Sequence, residues 1–456
     1  MFFQQRFNNV LYRKVWLVTT LSVAVVGAGP SGFYAVDAML DAFPGCSVDL
    51  IDRWPFPFGL VRSGVAPDHL NTKNVTKLYE KTLDKPGVRF VGNVELGRDL
   101  SYEELKSLFD VVILAFGMEE PRLLDVPGAN LPGVISVTDF VGWYNATPDS
   151  KDCADLVSRA RSAVVVGNGN VALDIARLLA KTKDELIATD IVPAAADAMV
   201  RAPLNDIYVV GRRGPVEASF SFPELSEFGD LEEAQTLVDG ANIPGDASAA
   251  EETVRKKKER NLRVLRTFAE EKASSKPVRV HFLFHASPVE VIGEDHMTAV
   301  KMIRNKIVAG KAVATKESFV IDTDLLIPAI GYRMTYLEGL PSLADGGGIS
   351  NEDGRVEQGV YVVGWARRGP TGVIGTNRVD SRKVVGLISV DSPVASKPGR
   401  SSLDALLSKR KVSSVDVPHW RRIDAAEIAL GGGGRPRVKF NTVEEMLRFG
   451  KEKFAA

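Results

Sequence analysis

The sequence predicts an α/β protein built on parallel sheets, and three observations support this prediction. Short apolar runs recur along the chain, as expected for strands that are buried on both faces of a parallel sheet. Helical patterns follow several of these runs, and such alternation is typical of α/β folds. The chain is also rich in glycine, with 40 among 456 residues, and several of these glycines fall between an apolar run and a helical pattern.

The predicted strands are four or five residues long. In chain order they are Ser22–Val26, Val48–Ile51, Val111–Ala115, Ala163–Val166, Ile207–Val210, Leu325–Ala329 and Val360–Val363. Two predicted helices, Ser31–Ala42 and Val171–Lys181, follow glycine-rich turns. At roughly 100–200 residues per domain, a chain of 456 residues suggests two to four domains.

The composition argues against several classes of protein. Lys and Arg total 57 and Asp and Glu total 58, so the net charge of −1 does not favour binding to nucleic acid by bulk charge. The two cysteines, Cys46 and Cys153, form no Cys-x-x-Cys motif. Their spacing argues against a disulfide scaffold, a structural zinc site, an iron–sulfur cluster and a dithiol redox centre.

The N-terminal residues 1–20 contain Arg6, Arg13 and Lys14 but no acidic residue, and their apolar residues recur at helical spacing. This pattern is typical of a mitochondrial presequence, and the alternative is a plain, poorly ordered extension. Residues 15–36 are uncharged and long enough to cross a bilayer. Their second half contains GAGPSG, which is typical of a turn, so no transmembrane segment is predicted.

The first glycine-rich turn is GAGPSG at residues 27–32. In this GxGxxG fingerprint, Gly27 permits a tight turn, Gly29 lets a pyrophosphate approach the backbone, and Gly32 lets helix and strand pack closely. The helix that follows presents free N–H groups and a positive dipole end to phosphates. Asp52 directly follows the next predicted strand, at a position where an acid accepts hydrogen bonds from ribose hydroxyls. The turn therefore predicts a dinucleotide site.

The second glycine-rich turn, GNGNVA at residues 167–172, is the GxGxxA form of the same fingerprint. Arg212 and Arg213 stand where an acid would bind the ribose 2′-hydroxyl, and guanidinium groups suit a phosphate monoester. This favours NADP over NAD, although arginines of a solvated loop would give the same pattern. Two fingerprints need two dinucleotides, and FAD with NADPH is the economical interpretation.

Longer segments of the chain resemble the adrenodoxin reductase family, which comprises mitochondrial and actinobacterial-type NADPH–ferredoxin reductases. They are PFGLVRSGVAPDH (57–69), FVGNVELGRD (90–99), DFVGWYN (139–145), VVGNGNVALDIAR (165–177), VVGRRGPVEASF (209–220), VVGWARRGPTGVIGT (362–376) and GRPRVKF (434–440). The resemblance implies two Rossmann-like dinucleotide-binding domains. An FAD domain is expected at 21–118 and 326–456, interrupted by an inserted NADP domain at 119–325.

The resemblance also implies an activity. Hydride would pass from NADPH to FAD, and the reduced FAD would give single electrons to an acidic 2Fe–2S ferredoxin. Together with the pattern in residues 1–20, the resemblance implies a mitochondrial location, associated with the matrix or the inner membrane. The alternative is the bacterial cytoplasm.

The family's functional positions carry over onto matching residues of this sequence. For FAD they are Gly27, Gly29, Pro30, Ser31, Gly32, Asp52, Gly59, Leu60, Val65, Trp365, Gly372, Val373 and Ile374. For NADPH they are Asn168, Gly169, Asn170, Val171, Arg212, Arg213 and Glu224. His69 and Asp174 match a pair implicated near the flavin in proton handling or partner coupling, and purely structural roles are the alternative.

The match to the family's ferredoxin-binding positions is incomplete. Ser226 stands where mammalian relatives carry an arginine that helps to bind ferredoxin, so the resemblance does not extend to that contact. The basic stretch 255–266 falls where relatives carry a basic cluster. A nearly neutral enzyme needs local positive surface to steer an acidic partner, whereas the alternative is an ordinary solvated helix face.

Three other functions remain open on the sequence. A disulfide reductase of the two-dinucleotide class would need a cysteine pair facing the flavin, and Cys46 and Cys153 are not so spaced. A flavin monooxygenase would use NADPH and oxygen. A nucleotide-sensing module would keep the fold without turnover.

Overall fold

The computed structural model describes residues 20–248 and 251–451. All but the last residue of the predicted targeting segment 1–20 therefore lies outside the described residues. Within the described ranges, no helix has the length and apolar character that crossing a membrane requires. The predicted α/β class is confirmed, because parallel sheets alternate with helices along most of the chain.

A six-stranded sheet carries the first glycine-rich turn. In spatial order its strands are Arg355–Glu357, Val360–Val362, Val111–Leu114, Ser22–Val26, Ser47–Ile51 and Val88–Val91. Neighbouring strands are parallel except for the first two. The sheet is therefore completed by residues from a late part of the chain.

Both faces of this sheet are covered by helices. Alternate residues of Ser22–Val26 pack into two cores, one with Pro30–Ala42 and Ile374–Asp391 and the other with Tyr102–Leu108 and Arg400–Lys409. The other helices of this part are Leu60–Ser63, Leu70–Lys73, Thr76–Leu83, Trp365–Arg368, Val417–Leu430 and Val443–Lys451. Burial on both faces explains why the strand is a continuous apolar run.

A five-stranded sheet, parallel throughout, carries the second glycine-rich turn. Its strands, in spatial order, are Leu325–Pro328, Ser162–Val166, Asp206–Val210, Val278–Leu283 and Ala234–Val238. Its helices are Val137–Asn145, Ala154–Arg159, Asn170–Ala180, Lys183–Ile187, Pro193–Arg201, Phe222–Ser226 and Glu252–Glu270. The domain boundary expected between 325 and 326 falls inside the strand Leu325–Pro328. By sheet membership the chain leaves the second sheet only after Pro328, because this strand pairs with Ser162–Val166 along its length.

Two antiparallel features complete the architecture. A three-stranded sheet, which the sequence did not predict, contains Ala286–Gly293, Met297–Val308 and Lys311–Asp322. A short ribbon pairs Glu120–Pro121 with Tyr332–Arg333, so the chain's two passages between the large sheets lie side by side.

Candidate active site

The first glycine-rich turn is closely packed except at its middle glycine. Gly27 has φ +109°, and a Cβ there would lie 2.6 Å from the Ala115 backbone. A Cβ on Gly32 would overlap the Gly27 carbonyl oxygen. By contrast, the heavy atom nearest to a Cβ on Gly29 would be Gly59 Cα, at 3.8 Å. The open space beside Gly29 is where the fingerprint brings a pyrophosphate to the backbone.

Two helix N-termini are joined beside this turn. The helices Pro30–Ala42 and Ile374–Asp391 pack together in the same core. Ser31 Oγ donates a hydrogen bond to Asn377 Oδ1 at 3.1 Å, and Ser381 Oγ donates to Ser31 O at 3.0 Å. The positive ends of two helix dipoles therefore lie at one place, which favours electronegative groups of a ligand.

Asp52 is buried next to the same turn. Its carboxylate accepts hydrogen bonds from Ala28 N at 2.7 Å and from Trp54 N at 3.0 Å. Burial raises the pKa of Asp52, and the two N–H donors oppose that shift. Asp52 therefore fixes the turn against the end of the second strand, and its oxygens retain lone pairs that can accept from ribose hydroxyls.

The segment after Phe58 approaches the first turn through its backbone. Phe58 N donates to Ala28 O at 2.7 Å. Gly59 has φ +50°, and a Cβ there would lie 2.8 Å from Gly29 Cα, so a side chain would force the two loops apart. Leu60 follows with 38% of its surface exposed, and Val65 is partly buried.

The late segment brings apolar and aromatic groups to the start of Ile374–Asp391. Val373, directly before this helix, is 70% exposed. Gly372 has φ +85°, a conformation that favours glycine. Trp365 stacks on Tyr332 with ring centroids 6.0 Å apart. Together with the open space beside Gly29 and the buried carboxylate of Asp52, the exposed apolar side chains of Leu60 and Val373 fit a flavin dinucleotide.

The second glycine-rich turn has the same construction on the five-stranded sheet. Gly167 has φ +149°, and a Cβ there would overlap the Ala329 carbonyl oxygen. Asn168 O accepts hydrogen bonds from Ser219 N at 2.8 Å and from Phe220 N at 2.9 Å. The helix Asn170–Ala180 begins directly afterwards without a side-chain cap. Its first N–H groups are therefore available to a phosphate.

Two polar atoms near this turn lack a protein partner. Among the described residues, Asn168 Oδ1 and Glu224 Oε2 are buried without a hydrogen bond. Asn170 Oδ1, in contrast, accepts from Ser221 N at 2.8 Å. Because buried polar atoms are normally hydrogen-bonded, the two unpaired oxygens fit a site whose ligand supplies donors. Both belong to the set of residues predicted to bind NADPH.

Arg212 and Arg213 follow the strand Asp206–Val210, and their backbone carbonyl groups accept hydrogen bonds from neighbouring residues. Asn305 Nδ2 donates to Arg212 O at 3.0 Å, and His285 N donates to Arg213 O at 3.2 Å. Within the described ranges, no carboxylate forms an ion pair with either guanidinium group. The antiparallel sheet thus holds two arginines in place while leaving their charged groups for a ligand.

His69 and Asp174 lie in one buried ionic cluster. His69 Nε2 is 3.0 Å from Glu227 Oε2, whereas His69 Nδ1 is 3.9 Å from Asp174 Oδ1. Arg177 is fully buried, and its Nε and Nη2 donate to Asp68 at 2.8 Å. It also lies 3.0 Å from Asp174 and 2.9 Å from Glu227. Arg177 therefore connects the second glycine-rich helix to the loop that carries His69.

The cluster shifts the pKa values of its members. Burial raises the pKa of Asp174 to about 6, and the positive charges of Arg177 and His69 oppose this shift. Burial lowers the pKa of His69, but the hydrogen bond with Glu227 and the negative charges of Asp174 and Asp68 together outweigh it, and the net pKa is raised. The cluster thus contains a carboxyl group and an imidazole whose pKa values are both raised by their surroundings, as is common at functional sites.

Sequence reasoning missed three members of this cluster, namely Asp68, Arg177 and Glu227. A local signal existed for Arg177, which lies one helical turn after Asp174 on an otherwise apolar, buried face. Asp68 directly precedes His69, and Glu227 lies three residues after Glu224. Nothing local indicates that these segments meet.

The basic stretch 255–266 lies on the helix Glu252–Glu270. Lys256, Lys257, Arg260 and Arg263 are exposed. Lys258 is partly buried and donates to Ala218 O, and Arg266 Nη2 donates to Pro244 O at 2.7 Å. The stretch is therefore divided between solvent-facing residues and residues that bind the protein's own backbone.

Comparison with known proteins defines first a class and then a family. Residues 21–208 match the family model described as pyridine nucleotide-disulphide oxidoreductase. NADPH-ferredoxin reductase FprA from Mycobacterium leprae is 40% identical, over 94% of this chain and 98% of its own length. NADPH:adrenodoxin oxidoreductase, mitochondrial, from Arabidopsis thaliana is 37% identical over 94% of this chain and 95% of its own. The chain belongs to the family of NADPH–ferredoxin and adrenodoxin reductases, as the sequence predicted.

A solved structure agrees with the family assignment. Mycobacterium tuberculosis FprA in complex with NADPH has a TM-score of 0.90 to this chain at 37% identity. The match covers 95% of this chain and 100% of that one. The predicted pair of dinucleotide-binding folds is thereby confirmed at the level of the whole chain.

Proposed function

We propose that this chain is an FAD-dependent NADPH:ferredoxin oxidoreductase that passes electrons from NADPH to a 2Fe–2S ferredoxin. The observation that carries the proposal is the pair of glycine-rich turns on separate parallel sheets. One is followed by a buried acid and the other by two arginines that have no ion-pair partner among the described residues. Similar proteins named NADPH-ferredoxin reductase and NADPH:adrenodoxin oxidoreductase support the same activity.

The chain's residues divide the work between binding and proton control. The turn at Gly29 and the carboxylate of Asp52 bind and orient the FAD, and the turn at Gly169 with Arg212 and Arg213 binds NADPH. When bound, the flavin supplies the chemistry that converts a two-electron donor into a one-electron donor. His69 lies between the two sheets, with Nε2 3.0 Å from Glu227 Oε2 and 3.0 Å from Arg177 Nη2, so these two groups control its protonation.

The cysteines support electron transfer over disulfide reduction. Cys46 packs in a core of the six-stranded sheet and Cys153 packs in a core of the five-stranded sheet. Burial raises the pKa of both thiols, that of Cys153 to about 12. A redox-active thiol needs thiolate character and access, and these two residues have neither.

The ferredoxin would dock on the exposed part of the helix Glu252–Glu270. Lys256, Lys257, Arg260 and Arg263 present four positive charges to solvent. An acidic ferredoxin would be steered to such a patch, in an interface of the small, charged type common in electron transfer.

A mitochondrial location is part of the proposal, with the bacterial cytoplasm as the alternative. The acid-free basic pattern in residues 1–20 supports it, whereas the similar proteins include both mitochondrial and mycobacterial ones. Import of a fluorescent protein carrying residues 1–20 into isolated mitochondria would test this part. A fusion with Arg6, Arg13 and Lys14 changed to Gln should stay outside.

The activity is tested by anaerobic titration of the purified, flavin-loaded chain. NADPH should bleach the yellow flavin, and reduction of cytochrome c should require both NADPH and a 2Fe–2S ferredoxin. The reaction without ferredoxin is the control. Oxygen uptake coupled to a hydroxylated product, or new titratable thiols after NADPH addition, would point to another flavoenzyme. A flavin that NADPH does not bleach would contradict the proposal.

A further inference from the structure

One lysine of the basic stretch points away from the exposed patch. Lys258 is partly buried, and its ammonium group donates to Ala218 O. Its neighbour Lys257 on the same helix is exposed. A buried ammonium group is costly unless it has oppositely charged or hydrogen-bonding partners, so the inward orientation of Lys258 needs a reason.

Lys258 contacts the segment that packs over the predicted NADPH turn. Ser219 and Phe220, directly after Ala218, both donate to Asn168 O. Glu217 Oε2, directly before Ala218, would lie 2.9 Å from a Cβ on Gly214, the residue after Arg213. The segment 217–220 therefore lies between the helix that carries Lys258 and the turn that carries the arginine pair.

The charges around Lys258 act on one another. Burial lowers the pKa of the Lys258 ammonium group, the Glu217 carboxylate opposes that shift, and the positive charge of Arg213 adds to it. Lys258 thus lies within electrostatic reach of both Glu217 and Arg213. With Arg212, the group contains three cations and one carboxylate.

We propose that Lys258 is a specificity-determining residue for the 2′-phosphate of NADPH, because it offsets the Glu217 carboxylate and adds positive charge beside Arg213. A phosphate monoester carries a charge of roughly −1.5 to −2 near neutral pH. Three cations and one carboxylate give a net charge of +2, whereas the set without Lys258 has only +1. This inference deepens the proposed function and rests on its NADPH site, but not on the ferredoxin.

The test measures nucleotide binding to the flavin-loaded protein by calorimetry. The probes are adenosine 2′,5′-bisphosphate, which carries the 2′-phosphate, and 5′-AMP, which lacks it. In Lys258→Met, the dissociation constant for the bisphosphate should rise about tenfold, because a partly buried charge near the phosphate is lost. The constant for 5′-AMP should change by less than about twofold, because this probe carries no charge at the 2′ position.

Three variants separate this role from simple support of the loop. Lys257→Met removes the same charge from the exposed face and should leave bisphosphate affinity unchanged. Lys258→Arg should retain most of the affinity. Glu217→Gln combined with Lys258→Met should recover part of the loss, because the carboxylate that Lys258 offsets is gone.

Two results would overturn the inference. Equal weakening of both probes in Lys258→Met would mean that Lys258 only supports the segment 217–220. Unchanged affinity for the bisphosphate would mean that its charge plays no part. Failure of the proposed function is recognised by a different measurement, which is the ferredoxin-dependent reduction of cytochrome c. That assay does not depend on whether Lys258 contributes to binding of the bisphosphate.

Discussion

Arg212 and Arg213 are the side chains expected to distinguish NADPH from NADH. Their carbonyl groups are held by Asn305 and His285, and their guanidinium groups have no carboxylate partner in the described part of the chain. Changing both residues to Glu should therefore raise the KM for NADPH far more than the KM for NADH, by about two orders of magnitude for loss of two charge-assisted contacts. Steady-state ferricyanide reduction with each nucleotide measures the ratio. Equal effects on both nucleotides would contradict the 2′-phosphate assignment.

Glu227 controls the proton of His69. Because its negative charge favours the imidazolium, Glu227→Gln should lower the pKa of His69 relative to the unchanged protein. The protonated form of His69 would then be lost at a lower pH. Histidine NMR titration measures this directly, with the His69 resonance assigned from His69→Gln. Glu233→Gln, which removes an exposed carboxylate, is the control, and a similar pKa in all three proteins would exclude the role of Glu227.

For single residues, the sequence predicts those whose role depends on a motif of neighbouring residues. Gly27, Gly32 and Gly59 adopt conformations or contacts that exclude a Cβ, and each stands in a recognisable motif. The ionic cluster was predicted only in part, because Arg177 and Glu227 meet His69 across more than a hundred residues of chain. A charged residue on an apolar helix face indicates that an oppositely charged residue lies nearby in the fold, but it does not identify that residue.

Among the elements, the helix Glu252–Glu270 presents different residues to solvent and to the protein. Changing Lys256 and Lys257 to Glu should raise the KM for ferredoxin about tenfold or more at low ionic strength, because the proposed docking patch would lose its attraction for an acidic partner. Activity with ferricyanide, which needs no docking, should be retained. Lys311→Glu in the exposed β-hairpin is the matched control. Equal loss of both activities would indicate damage to folding, and unchanged ferredoxin KM would remove the patch from the docking surface.

The two kinds of sheet differ in how well the sequence predicts them. The seven predicted strands all occur, within one residue of their expected ends, because strands buried on both faces form unbroken apolar runs. The antiparallel strands Met297–Val308 and Lys311–Asp322 were missed, since one of their faces is largely exposed and their apolar residues are diluted by charged ones. Bulges that interrupt their pairing also blur the two-residue alternation.

Across the whole molecule, a buried ionic group joins three distant segments. Asp190 pairs with Lys73 at 2.6 Å and with Lys439 at 3.2 Å, and all three side chains are largely buried. Lys439 also donates to Asn145 Oδ1 at 3.2 Å. The segment GRPRVKF, which the family resemblance singled out, thus holds helices of both large sheets together.

Loss of the central carboxylate should destabilise the assembly. Asp190→Asn leaves two buried ammonium groups without a counter-charge, and the free energy of unfolding should fall by about 3–5 kcal/mol. Urea unfolding, followed by flavin fluorescence and by circular dichroism, measures this free energy. Arg98→Gln removes the two ion pairs of an exposed arginine, with Glu95 and Asp99, and should cost at most about 1 kcal/mol. A similar small loss in both variants would show that the buried group contributes little.

The ribbon between Glu120–Pro121 and Tyr332–Arg333 encloses the part of the chain that forms the five-stranded sheet. Pro121 lies directly opposite Tyr332, so about two hundred residues leave and return at one place. A segment whose ends meet can be exchanged as a cassette, because joining Glu120 to Arg333 leaves the surrounding strands where they were. Under the proposed function, exchange of residues 121–332 would replace the nucleotide preference in one piece and leave the proposed flavin-binding part intact.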